Sequence, residues 1–123
     1  MPVHHPAVGG RWAEQRTLRL LQQHGWRLLS RNWRCRWGEL DLVMAKPDRL
    51  LVVEVKGRSA AGFDGGGIAA LRHSKRKRLQ RSCLCWLAEN PQHQGDQLAL
   101  VAALVSLPPR RQPVRWLTLT AWG

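Results

Sequence analysis

Acidic side chains are scarce in this sequence. Eight Asp and Glu stand against twenty Lys and Arg, which leaves a net charge of +12 and an isoelectric point near 11.5. That excess does not decide a fold, but it favours a polyanionic partner, nucleic acid first and anionic membrane second. No apolar run reaches transmembrane length, and no charged-then-apolar leader opens the chain. The protein is therefore expected to be cytoplasmic and not membrane-bound. Cysteines number three, an odd count without zinc spacing, so no disulfide framework is expected. The glycine-rich stretch 63–67 lacks the GK[ST] ending of a P-loop. Repeats and a second domain are absent as well.

What remains is the composition of a globular domain, 44% hydrophobic and 23% charged over 123 residues. Residues 1–9 hold two prolines and the pair His4-His5 and read as a loose tail; residues 10–123 read as one domain. From Gly10 to His24 the pattern is helical, with Ala13, Thr17, Leu20, Leu21 and His24 on one stripe and Gly25 as the C-terminal cap. Trp26–Trp37 reads as a first strand. Two short apolar strands follow, Gly38–Val43 and Leu51–Arg58, joined through the turn cluster Lys46-Pro47-Asp48-Arg49 and expected to pair antiparallel. The second is apolar on both faces before its charges begin, the mark of a central strand. After a Gly-rich loop, Ser59–Gly67, a long helix over Ile68–Glu89 buries Ile68, Leu71, Leu79, Cys83, Trp86 and Leu87. Leu98–Leu107 is a further central strand, parallel to the Leu51 strand through a helical crossover, and Val114–Trp122 is an edge strand. The predicted architecture is α/β, a mixed sheet flanked by helices in the order α-β-β-β-α-β-β.

Period-two alternation puts Glu39 and Asp41 on one face of the first hairpin strand, and Glu54 and Lys56 on one face of the second. If register joins those faces, two or three carboxylates and a lysine converge. Clustered carboxylates raise one another's pKa unless a cation lies between them. A hard divalent ion takes such oxygens together with water and phosphate, and a lysine beside it can steer water or neutralise developing charge. An exposed hairpin carrying solvated ion pairs would show the same residue types. Against that, the charges end a strand buried on both faces, where an unpartnered charge is costly.

The pattern Gly38-Glu39-Leu40-Asp41, followed by Glu54-Val55-Lys56, resembles the Asp…Glu-x-Lys core of PD-(D/E)XK nucleases. More closely, the chain resembles the YraN-type family of small bacterial proteins, which are similar to archaeal Holliday-junction resolvases. Gly10-Arg11-Trp12-Ala13-Glu14 matches that family's opening helix motif, and the Arg31–Trp37 run its approach to Gly-Glu-x-Asp; Lys75 and Asp96 match later positions. The resemblance runs from about Gly10 to about Val105. It implies a restriction-endonuclease-like fold and hydrolysis of DNA phosphodiester bonds, with junction or branched DNA and a homodimer suggested by the resolvases alone. It implies Mg2+ or Mn2+ held by Asp41 and Glu54 with the Val55 carbonyl, Lys56 positioning water, and Glu14 as a further acidic member. Where relatives carry Arg-Phe-Asp, this chain has Gln94-Gly95-Asp96, so Asp96 is either part of the site or only a cap on a strand end.

Several residues carry two readings. Glu14 either joins the site or stabilises the helix dipole. Lys75 projects from the apolar face of the long helix, either toward the carboxylates or past Leu71 to water. Arg34, Arg36, Arg58, Arg72, Lys77, Arg78 and Arg81 are either solvated or, with Lys75, phosphate contacts, and a positive run this dense favours the latter. Trp26 is expected in the core. Beside the nuclease stands a second function, a nucleic-acid-binding protein that keeps the fold without turnover. The carboxylate–lysine set favours the enzyme, since phosphate binding alone has no need of it.

Overall fold

A computed structural model describes residues 8–58, 73–109 and 111–119. The expectations for His4-His5, the Gly-rich loop, Ile68, Leu71, Arg72 and the end of the last strand lie outside these residues.

Helix α1 runs Val8–Gln23, beginning two residues before Gly10. It ends as the sequence predicts. Gly25 has φ 88°, Trp26 N–H donates to the Leu21 carbonyl and Gly25 N–H to the Gln22 carbonyl, the paired bonds of a Schellman cap. The buried stripe differs slightly from the expected one: Leu18 is buried with Ala13, Glu14, Thr17 and Leu21, while His24 is exposed beyond the helix end.

Three antiparallel strands follow, β1 (Arg27–Cys35), β2 (Gly38–Lys46) and β3 (Arg49–Arg58). The β2–β3 turn is Pro47-Asp48, with Asp48 at φ 61°, a left-handed position that Asp tolerates. Helix α2 (His73–Glu89) then leads through a 3-10 turn at Pro91–His93 to β4 (Gln97–Ser106), which lies parallel to β3. Strand β5 (Arg115–Thr118) closes the edge antiparallel to β4. The strand order is β1-β2-β3-β4-β5, so the sheet is mixed and the α-β-β-β-α-β-β layout holds.

The sheet has a helix on each side. Ala13, Leu18 and Leu21 of α1 pack on Leu42, Met44, Val53 and Val105. On the opposite face Leu79, Cys83 and Trp86 of α2 pack on Leu40, Val43, Val52 and Leu100. Trp86, fully in this core, satisfies its indole by donating to Ser30 Oγ at 2.9 Å. With helices on both faces, β3 is buried from Leu50 to Glu54. The apolar run of this strand thus places the first charge after it, Glu54, at the point where the strand leaves the buried interior. Trp26 is half-buried, packed against the α1-side core while Lys46 and Arg49 lie over its ring at 4.7 and 5.0 Å.

Candidate active site

The β2–β3 ladder stops at Leu42–Val53. Its opening starts in β1 and β2. Leu42 packs under α1, and Arg31, paired with it, reaches Gln15 and Glu14 of that helix. Leu40 and its partner Trp33 instead pack on the α2 side. Residues two apart thus lie on opposite faces, which uninterrupted alternation forbids. The break falls at Asn32 and Asp41, bracketed by the Arg31–Leu42 and Trp33–Leu40 pairs, and Asn32 has φ 52°. The regular alternation expected to put Glu39 and Asp41 on a common face is therefore interrupted at Asp41. The Asp41 carboxylate turns to β3 and accepts the Val55 N–H at 2.8 Å through Oδ2. Because the N–H and C=O of one strand residue point the same way, the Val55 carbonyl opens onto the same gap.

Glu14 from α1, Glu39 and Asp41 from β2, Glu54, Val55 and Lys56 from β3, and Lys75 from α2 line one cleft of about 340 Å3. Glu54 is buried, and its Oε1 lies 3.5 Å from Lys56 Nζ and 3.6 Å from Lys75 Nζ. Lys75 therefore reaches the carboxylates rather than only solvent. Burial and then the charge of Glu54 push the Asp41 carboxyl up to about 8; Glu14 and Glu39 add to this and the Val55 N–H opposes it. Glu14 is also raised, by burial first, against hydrogen bonding from Asn32 and the charge of Arg31. Its Oε1 is buried without a hydrogen bond, 3.6 Å from Arg31 Nε. Glu14 lies beyond the first turn of a helix that starts at Val8, so the dipole does not account for it. Among the described residues, no three His, Cys, Asp or Glu side chains form a group able to hold a metal by themselves. The cleft offers carboxylates and a carbonyl around a gap, leaving the other positions of any cation to water and substrate.

The basic residues divide. Arg34 lies 3.7 Å from Glu39, at the rim of the cleft. Arg36 and Arg81 lie over the Trp37 ring at 4.8 and 4.6 Å. Arg78 lines a narrow cleft with Trp37, Glu39 and Lys75, and Lys77 is exposed on the same helix. Arg58, at the end of β3, is half-buried and its Nε has no hydrogen-bond partner. Asp96 is elsewhere. It pairs with His93 at 2.8 Å and immediately precedes Gln97, the β4 residue registered with Arg49 at the far end of the sheet. Arg31 and Asn32, which the sequence marks only as part of the Arg31–Trp37 run, attend Glu14 in the structure. An Asn inside a strand pattern was the available signal, because strands are depleted in it.

The match to known proteins covers this whole arrangement. The model of the family described as "Uncharacterised protein family UPF0102" matches residues 13–104. A UPF0102 protein of Prochlorococcus marinus (strain MIT 9303) is 50% identical over 110 residues, 89% of this chain and 87% of its own length. One from Synechococcus sp. (strain CC9902) is 50% identical over 112 residues, covering 91% and 93%. A more distant relative, from Pseudomonas putida (strain GB-1), is 40% identical over 119 residues and 95% of both chains. The matched span includes Glu14, Glu39, Asp41, Glu54, Val55, Lys56 and Lys75, and the chain belongs to the UPF0102 family of YraN-type proteins.

Proposed function

We propose that the protein is a metal-dependent endonuclease acting on DNA phosphodiester bonds. The observation that carries this reading is the end of β3, where Glu54 lies between two lysine ammonium groups beside an Asp41 carboxyl pushed up to about 8. A binding surface for phosphate would gain nothing from mutually repelling carboxylates. A cation-assisted hydrolase needs them.

The donors fit a hard divalent ion: oxygen atoms only, negative charges that repel each other without a cation, and space for water and phosphate. Asp41 and Glu54, with the Val55 carbonyl, would hold Mg2+ or Mn2+, which when bound supplies Lewis-acid polarisation of the phosphate and a more acidic water. Lys56 Nζ donates to the attacking water and to the phosphoryl oxygen where charge accumulates. Glu14, more basic than an ordinary carboxylate, takes up the water's proton. Lys75 balances Glu54, while Arg34, Arg36, Lys77, Arg78 and Arg81 hold the flanking backbone. A homodimer would place two such clefts on two strands of a symmetric junction.

Labelled single-stranded, duplex, flap and four-way-junction DNA, incubated with Mg2+, Mn2+ or EDTA, tests the reading. Metal-dependent cleavage should fall by about 100-fold or more in Glu54→Ala and Lys56→Ala. Tight binding with no cleavage under any ion would instead assign a nucleic-acid-binding protein built on this fold, a role that the net charge of +12 also favours.

A further inference from the structure

The end of β1, at Cys35, packs against α2, the helix that carries Cys83 and Cys85. Cys35 is the last residue of β1, paired with Gly38 across the Arg36-Trp37 turn. Its thiol donates to Ser82 Oγ on α2 at 3.5 Å. Cys85 lies three residues further along the same helix, hence on the same face as Ser82, and each of the two thiols shifts the titration of the other. Both thiols are only half-buried. Cys83 is the contrast, fully buried in the core, with its thiol pushed up to about 12 by burial first and by Cys35 second. Burial also acts on Cys35, but hydrogen bonding with Ser82, with the Trp37 and Gly38 N–H groups and with Cys85 stabilises the thiolate enough to hold the thiol below its ordinary value. The thiolate is the reactive form.

We propose that Cys35 and Cys85 are an oxidisable dithiol whose reaction with a peroxide closes a reversible disulfide between β1 and α2. The Cys35 thiolate attacks one oxygen of hydrogen peroxide; the O–O bond breaks, a sulfenic acid forms and hydroxide leaves to become water. Cys85, giving up its proton, attacks the Cys35 sulfur; the S–S bond forms, the S–O bond breaks, and hydroxide takes that proton as a second water. Two thiols are oxidised and one peroxide is reduced to two waters. The link ties α2, which carries Lys75 to Glu54, to the strand end that leads through Trp37 into Glu39. It does not depend on whether the protein cleaves DNA.

The test is oxidation of the reduced full-length protein with an equimolar dose of hydrogen peroxide, followed by quenching, intact mass measurement and peptide mapping. The protein should lose the mass of two hydrogens as a monomer, show Cys35 joined to Cys85, and revert with dithiothreitol. Cys83→Ser should give the same product. In Cys85→Ser the Cys35 sulfenic acid should persist and be captured by dimedone. Oxidised wild-type protein should unfold at higher urea than the reduced form, a shift that Cys35→Ser and Cys85→Ser abolish. Absence of the intramolecular bond, a bond made to Cys83, or a wild-type sulfenic acid that persists would each overturn the proposal.

Discussion

Asp41 answers two demands at once, since the carboxyl group that accepts the Val55 N–H is also the one on which the charge of Glu54 acts. With the folded carboxyl near 8 and its ordinary value at 3.8, the folded chain keeps a proton across a window in which the unfolded chain has lost it. The stability this group contributes is therefore fully present below about pH 4 and is lost as pH rises toward about 8. Asp41→Asn keeps an oxygen for Val55 and removes the titration. Urea denaturation from about pH 5 to about pH 8 should show the wild type falling behind Asp41→Asn by up to about 1.4 kcal/mol per pH unit. At the alkaline end Mn2+ should stabilise the wild type and not the variant, because bound metal competes with the proton. A gap that stays constant with pH would mean that Asp41 is ionised throughout.

Among the elements, α1 and β3 approach each other closely beside the cleft. A Cβ at Gly57 would meet Ala13 Cβ at 3.1 Å and Leu107 Cδ2 at 3.0 Å, with the Gly9 carbonyl at 3.4 Å. The leucine methyl can swing away, but Ala13 Cβ moves only with its helix, and that helix carries Glu14. Gly57→Ala should cost about 1–3 kcal/mol in thermal or urea unfolding, whereas Gly95→Ala, with nothing within 4 Å, serves as the neutral control. Equal stability of the two variants would remove the close approach as a constraint. Most element positions were legible because apolar periodicity and turn residues are local signals: Gly25 closed α1, and Pro47-Asp48 turned the hairpin. The face switch at Asn32 and Asp41 was not, since it is a departure from periodicity that appears only when both strands and both helices are in place.

Over the whole molecule, charge is the property with the longest reach. If α2 contacts DNA phosphates, binding should weaken with salt, and each of Lys77, Arg78 and Arg81 replaced by Ala should reduce the log–log slope by about 0.9. Fluorescence anisotropy with duplexes of unrelated sequence measures this, and affinity should fall alike for all of them. Slopes unchanged in the triple variant would move the DNA track off this helix. Within the described residues no helix is long and apolar enough to cross a membrane, in keeping with the absence of an apolar run of that length in the sequence.

The amino-acid sequence alone determined the order of elements, the central place of β3, the basic character of the molecule, and Glu54, Lys56 and Asp41 as the residues of interest. Each follows from local pattern or from composition. Only the tertiary structure decided that Lys75 reaches Glu54, that Arg31 and Asn32 attend Glu14, that Asp96 lies at the other end of the sheet from Glu54, and that Cys35 meets α2 at Ser82, one turn from Cys85. The reason is that these are contacts between elements distant in the chain. Their formation depends on how two helices are seated on opposite faces of one sheet, and no spacing along the sequence encodes that directly.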